Sequence, residues 1–213
     1  LLSALVVVLL AGLPLAVWLD LRNLTESALR RQATDLNSVV TSMRSFYATN
    51  VVARVLASAG TTQVTHNYES IPGAIPIPAT LSLELGRVIS EKQQNIVYRF
   101  VSDHPFRNRK PHALDDFEVA ALRTLRADPT RVITEVKESL FSDRVRLIAP
   151  VIMGAACVSC HNSHVESVKK DWKVGDVRGL QEVSITQPFA ENLFSFKYLL
   201  TYFVLLAVTG ATF

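Results

Sequence analysis

Both cysteines of the chain fall within Cys157-Val158-Ser159-Cys160-His161, and their spacing already suggests a chemistry. Two residues between the thiols let one helical turn present both sulfurs along one side. A porphyrin carries two vinyl groups along one edge, and thioether bonds to both would bring the next residue, His161, under the ring. This is the pattern of c-type haem attachment. It predicts one covalent haem c per chain, with Cys157 and Cys160 as thioethers and His161 as the proximal iron ligand. Competing readings of the same residues explain less. A Cys-x-x-Cys redox pair asks for thioredoxin-like βαβ surroundings, which the flanking sequence lacks. Zinc ligation by Cys157, Cys160, His161 and His164 fails because adjacent side chains can hardly both reach one tetrahedral ion. A disulfide leaves the histidine unexplained.

The ligand on the other side of the iron has several candidates: Met43, Met153, His66, His104, His112 and His164. Met43 leads and His66 follows, with water or an open position next. The plain alternatives are a core methionine and a polar loop histidine. Haem propionates need cations, and Arg107, Arg109 and Lys110 form the densest basic cluster, with Arg44 and Arg99 as further options. A solvated loop is the competing account of that cluster. Phe46, Tyr47, Phe100 and Phe106 are candidate pocket walls, or ordinary core. No nucleophile elbow, phosphate-binding loop or His-Glu-x-x-His occurs, so the chain itself reads as non-enzymatic.

The elements that must position these residues are legible in outline. Residues 20–60 contain no proline and no glycine before Gly60, and read as one long helix. Leu29, Leu36 and Met43 recur every seven residues, as do Val39, Phe46 and Ala53. Such a double seam predicts packing along most of the helix, on a second copy in a parallel homodimer or on its own domain. Three prolines and a glycine within residues 71–78 force an extended or turning path. A helix is expected over 80–94, a strand over 95–102, and a basic Pro-bounded loop over 103–111. Asp115 and Glu118 form a capping box for a helix running to Ala127. Strands follow over 131–138, 144–152 and 179–187. The sum is an α+β fold, an antiparallel sheet with flanking helices.

Residues 1–19 carry no charge, and neither do residues 198–213. Nineteen helical residues span about 28 Å, close to the hydrocarbon thickness of a bilayer. The expected organisation is a transmembrane helix over 1–19, a long periplasmic helix over 20–60, a haem domain over 61–190, and a linker with the start of a second span over 191–213. A signal peptide is the weaker reading of the first run, which lacks a basic start and a cleavage site. The sequence starts at Leu and stops within an apolar run, so a fragment of a longer receptor is expected. Haem attachment of this type takes place outside the cytoplasm, which puts residues 20–197 on the periplasmic face of a bacterial inner membrane. The net charge of +3 is spread without a basic stripe, and nucleic-acid binding is not expected.

The long tethered helix, the segment from His66-Asn67-Tyr68-Glu69 through Ile71-Pro72-Gly73-Ala74-Ile75-Pro76-Ile77-Pro78, the loop Pro105-Phe106-Arg107-Asn108-Arg109 and the late haem motif occur in that order. Over roughly residues 30–190 the chain resembles the periplasmic c-type haem sensor domain of PAS-like fold. Such domains stand at the N-terminus of bacterial transmembrane cyclases, diguanylate cyclases, histidine kinases and chemoreceptors. The resemblance implies a five-stranded PAS-like sheet, haem held between sheet and helices, and a response to redox state or a diatomic gas. In relatives the distal ligand is Cys, Met or water; with no third cysteine, Cys ligation is ruled out here. An anchored electron-transfer cytochrome is the alternative function.

Overall fold

The computed structural model describes residues 2–58, 60–107, 109–138 and 142–188, together with 201, 204 and 208. Helix α1, Leu2–Phe46, runs without a break through the first apolar stretch. The expected span and the expected periplasmic helix are thus one continuous rod. It widens into a π-helical segment, Tyr47–Val52, and ends as α2, Ala53–Ala57. Among the described residues no helix is long and apolar enough to cross a membrane. The second apolar run lies outside the described residues except at 201, 204 and 208.

The Pro-rich segment forms a short parallel ladder between β1, Val64–Thr65, and β2, Ile75–Pro76. Helix α3, Pro78–Lys92, begins with its proline in the first turn, where the missing N–H would have no partner anyway. Strand β3, Ile96–Val101, precedes α4, Asp116–Ala127. The α4 capping box forms as expected, Glu118 N–H donating to Asp115 Oδ1 and Asp115 N–H to Glu118 Oε2, each at 2.8 Å. Strands β4, Ile133–Glu138, and β5, Ser142–Ile152, lead to α5, Ala155–Ser163, and then to β6, Val177–Pro188.

β3, β6, β5 and β4 form one antiparallel sheet in that order. The sheet has four strands among the described residues where the resemblance implied five, and β1 and β2 pair apart from it. Both faces are covered, which buries the middle of the central strands, residues 145–149 of β5 and 179–185 of β6. On one face Leu29, Ala33 and Val40 of α1 pack against Ile96, Tyr98, Val145, Leu147, Val183 and Ile185, with Leu36 alongside. On the other, Ala121, Leu122 and Leu125 of α4 pack against Val101, Ile148, Val177 and Leu180. Each fully buried aliphatic side chain contributes about 1.5–3 kcal/mol.

The seam on α1 therefore divides. Leu29 and Leu36 face the chain's own sheet. Val39, Met43 and Phe46 are exposed at 57%, 45% and 63%, and Ala53 is exposed as well.

Candidate functional site

Helix α5 rises between the two longest strands. Its approach is fixed by Met153, which exchanges 2.9 Å backbone bonds with Asp176 and Gly175 and is itself buried. Its far end is held by Asn162, whose amide donates to Trp172 O and whose carbonyl accepts from Trp172 N–H, both at 2.9 Å. Between these anchors Cys157 and Cys160 stand one turn apart, exposed and free. Partial burial and the neighbouring Cys157 push the Cys160 thiol up, opposite to the shift that activates a redox thiolate.

His161 turns inward and is half-buried. Its ring lies 4.8 Å from that of Phe106, and Arg178 Nε donates to its Nδ1 at 3.3 Å. Burial first, then the charges of Arg178 and His164, drop its pKa to about 4. The imidazole is accordingly neutral around pH 7. Phe106 also stacks on His164, at 5.0 Å and nearly parallel, and the His66 ring meets His164 edge-on at 6.2 Å. The loop carrying Phe106 is tied to the chain after α5 by Arg107 N–H donating to Glu166 O at 3.0 Å.

Of the expected site residues, the fold gathers His161, Phe106, His164 and His66 into one aromatic cluster. Arg44, half-buried on α1, lies over the Phe100 ring at 5.2 Å. Tyr47 donates to Pro76 O at 2.7 Å, fastening the π segment to the Pro-rich ladder. Met43 and Phe46 sit on the exposed side of α1. Arg107, Arg109 and Lys110 are exposed.

Arg99 belongs elsewhere. It points to the α4 face and binds Glu118 and Glu182 at 2.6 and 2.9 Å. Those two carboxylates are fully buried and also meet Arg146, and His112 reaches Glu118 at 3.0 Å. His104 packs edge-on against Trp172.

Sequence reasoning missed Arg178, Trp172 and Asn162. Arg178 is left unopposed where Val151 pairs with Gly179 and Ile152 with Val177, a bulge that re-aims its side chain. Gly179 beside the bulge lets β6 approach the end of β3, since a Cβ there would stand 2.6 Å from Val101 O. A glycine inside a strand pattern was the available signal.

The model of the Tll0287-like family (Tll0287) matches residues 22–186. Among solved structures, the crystal structure of the cyanobacterial heme-protein Tll0287 is similar at 17% identity, covering 72% of this chain and 96% of that one, with a TM-score of 0.48. No curated protein matches. Because the match of the family model takes in most of the sequence, the chain belongs to the Tll0287-like family.

Proposed function

We propose that this chain carries one haem c on α5 and serves as the extracytoplasmic sensory region of a two-span receptor. The observation that carries the reading is local. Two free thiols stand one turn apart, followed directly by an imidazole that the fold keeps neutral. That donor set suits the group, because thioethers need reduced cysteines and iron needs a neutral imidazole, whose lone pair would be released to it by Arg178. A member of this kind of structure, Tll0287, is described as a heme-protein.

Cys157 and Cys160 would hold the macrocycle by its edge and His161 would hold the iron. Bound there, haem supplies an iron whose oxidation state and sixth ligand can change. Phe106 covers one side of His161 and limits water at it. Met43 stands on α1 itself, and His66 follows the ladder to which Tyr47 ties the π segment. Either residue, once engaged, biases α1, and only a difference in hold between two states can shift a signalling equilibrium.

The membrane reading is supported by Trp18, which ends the apolar run with Arg22 over its ring at 5.4 Å, an arrangement suited to a bilayer interface. The exposed Val39 and Phe46 support a parallel homodimer. In this reading the chain is non-catalytic and any output activity belongs to a cytoplasmic domain.

An electron-transfer cytochrome is the second reading, favoured by the exposure of both cysteines, which would leave the haem edge open to a partner. Absorption spectra of the purified protein, oxidised and reduced, with and without carbon monoxide or nitric oxide, separate the two. Gas binding to the reduced form supports a sensor with a displaceable ligand. Low-spin bands that ignore both gases leave a redox sensor or a carrier. Absence of any haem band sinks both.

A further inference from the structure

The bond between Arg178 and His161 runs against the usual order at a metal ligand. A ligating imidazole ordinarily donates its free N–H to a carboxylate, a carbonyl or water, which raises its basicity. His161 faces a donor instead, Arg178 Nε–H giving to its Nδ1 at 3.3 Å. Among the described residues no carboxylate or carbonyl oxygen accepts from the His161 ring.

Arg178 is held in place from several sides. Its terminal nitrogens donate to Ser102 Oγ and to His104 O, and the rings of Phe106 and Trp172 lie 5.9 and 5.4 Å from its guanidinium. The register shift between β5 and β6 aims it. All its hydrogen-bond acceptors are neutral, and no acid draws it away. Asp103, which stands between the two residues that Arg178 binds, is gripped by Arg126 with two 2.8 Å bonds and met by His104 at 2.7 Å. The guanidinium can therefore let go of the ring without leaving its side.

The position of one proton sets the consequence. While Nδ1 accepts from Arg178, a neutral imidazole carries its proton on Nε2, and neither nitrogen has a lone pair to offer. For Nε2 to ligate, that proton must shift to Nδ1, where it would meet the Arg178 N–H, donor against donor. For Nδ1 to ligate, Arg178 must leave it. In either case His161 ligates with a cation beside it and no acceptor behind it, which makes it a poor electron donor.

We infer that Arg178 is a positioning residue that makes His161 a weak and releasable iron ligand, holding the ring by Nδ1 whenever the ring is off the iron. The inference rests on the reading that haem is attached at Cys157 and Cys160. It adds a displaceable bond on the α5 side, apart from any ligand that α1 supplies.

The test uses the full chain matured with haem, as wild type and as Arg178→Gln, Arg178→Met and Arg178→Lys. Intact mass gives haem per chain and a redox titration gives the midpoint potential. Gln offers the ring an acceptor, Met offers neither acceptor nor charge, and Lys keeps the cation. Gln and Met are expected to lower the potential, since a better donor and a lost cation both favour oxidised iron, while Lys stays near wild type. A merely structural role would move Lys and Met alike, because both lose the paired bonds to Ser102 and His104. Three variants shifted together, or none shifted, with one haem on every chain, would overturn the assignment. Should the variants fail to mature, nitrogen NMR of the His161 ring in the unloaded Cys157→Ser/Cys160→Ser chain decides it. Nε2 is expected to be protonated and Nδ1 bare; a proton on Nδ1 would overturn the assignment. A wild-type chain without haem would overturn the reading beneath it.

Discussion

For Cys157, Cys160 and His161 the chemistry is set by spacing along the chain, which is why it can be read without a fold. Structure adds the surroundings: burial pushes the imidazole's pKa down, and its Nδ1 lone pair accepts from Arg178 Nε–H, so ligation of iron requires Arg178 to let go of the ring. His161→Ala is expected to retain the covalent group by intact mass while losing the low-spin spectrum. Retention of a wild-type spectrum would remove His161 from the iron. Met43→Ala is expected to turn the reduced spectrum high-spin; an unchanged spectrum would transfer the role to His66, tested by His66→Ala in the same way. Residues whose place depends on strand register were not legible. Arg99 looked available for haem because it is basic and aromatic-flanked, yet β3 pairing with β6 turns it to the α4 face, opposite α1. Arg178 was missed for the converse reason, since its bulge is a mismatch in register between β5 and β6, and the neighbouring Gly179 was its one local sign.

The elements were foreseen where a local rule governs them. The Asp115–Glu118 capping box and the β-branched runs act within a few residues, whereas Pro78, read as part of the extended segment, instead opens α3. The π segment at Tyr47–Val52 was not foreseen, because its apolar residues satisfy an α-helical pattern equally well and its anchor, Pro76, is distant in sequence. The covering of the second sheet face by α4 carries the largest electrostatic consequence. Burial pushes the Glu182 carboxyl up, but the bonds and charges of Arg146 and Arg99 outweigh it and hold its pKa below the ordinary 4.5. Asp115 is likewise held low, burial being outweighed by the Glu118 backbone N–H and by Arg146. Groups with a depressed folded pKa lend stability above their unfolded value and lose it as pH falls through the folded one. Urea midpoints should begin to fall below about pH 6.5, where the unfolded His161 takes up a proton that the folded one refuses, and fall further below 4.5 as the carboxylates protonate; Glu182→Gln should flatten only that lower limb. The same substitution leaves two arginines short of charge and should cost about 3–5 kcal/mol at pH 7. Gly86→Ala should cost about 1–3 kcal/mol, because the added methyl would collide with the Tyr98 ring and backbone; an unaltered midpoint would contradict the packing of α3 on β3.

Across the whole molecule, one helix links the N-terminal apolar run to the site. α1 starts at Leu2, packs on the sheet through Leu29, Ala33, Leu36 and Val40, and passes Arg44 before widening at Tyr47. Any change in what holds residues 43–47 thus has a continuous path toward the first apolar stretch. The seven-residue repeats showed that α1 must pack on something. They could not show that the core claims only the stripe through Leu29 and Leu36, leaving Val39 and Phe46 outside. Phe46→Glu should leave unfolding within about 0.5 kcal/mol of wild type, as exposed positions do, while converting a dimer to a monomer in sedimentation. An unchanged sedimentation profile would remove this stripe from the interface.

The central claim is covalent haem at Cys157 and Cys160, and intact mass with thiol alkylation after expression alongside a c-type maturation system tests it most directly. The account predicts a chain heavier by one haem, no alkylated cysteine, and loss of the added mass in the Cys157→Ser/Cys160→Ser variant. Two alkylated thiols on a chain of bare polypeptide mass would contradict it.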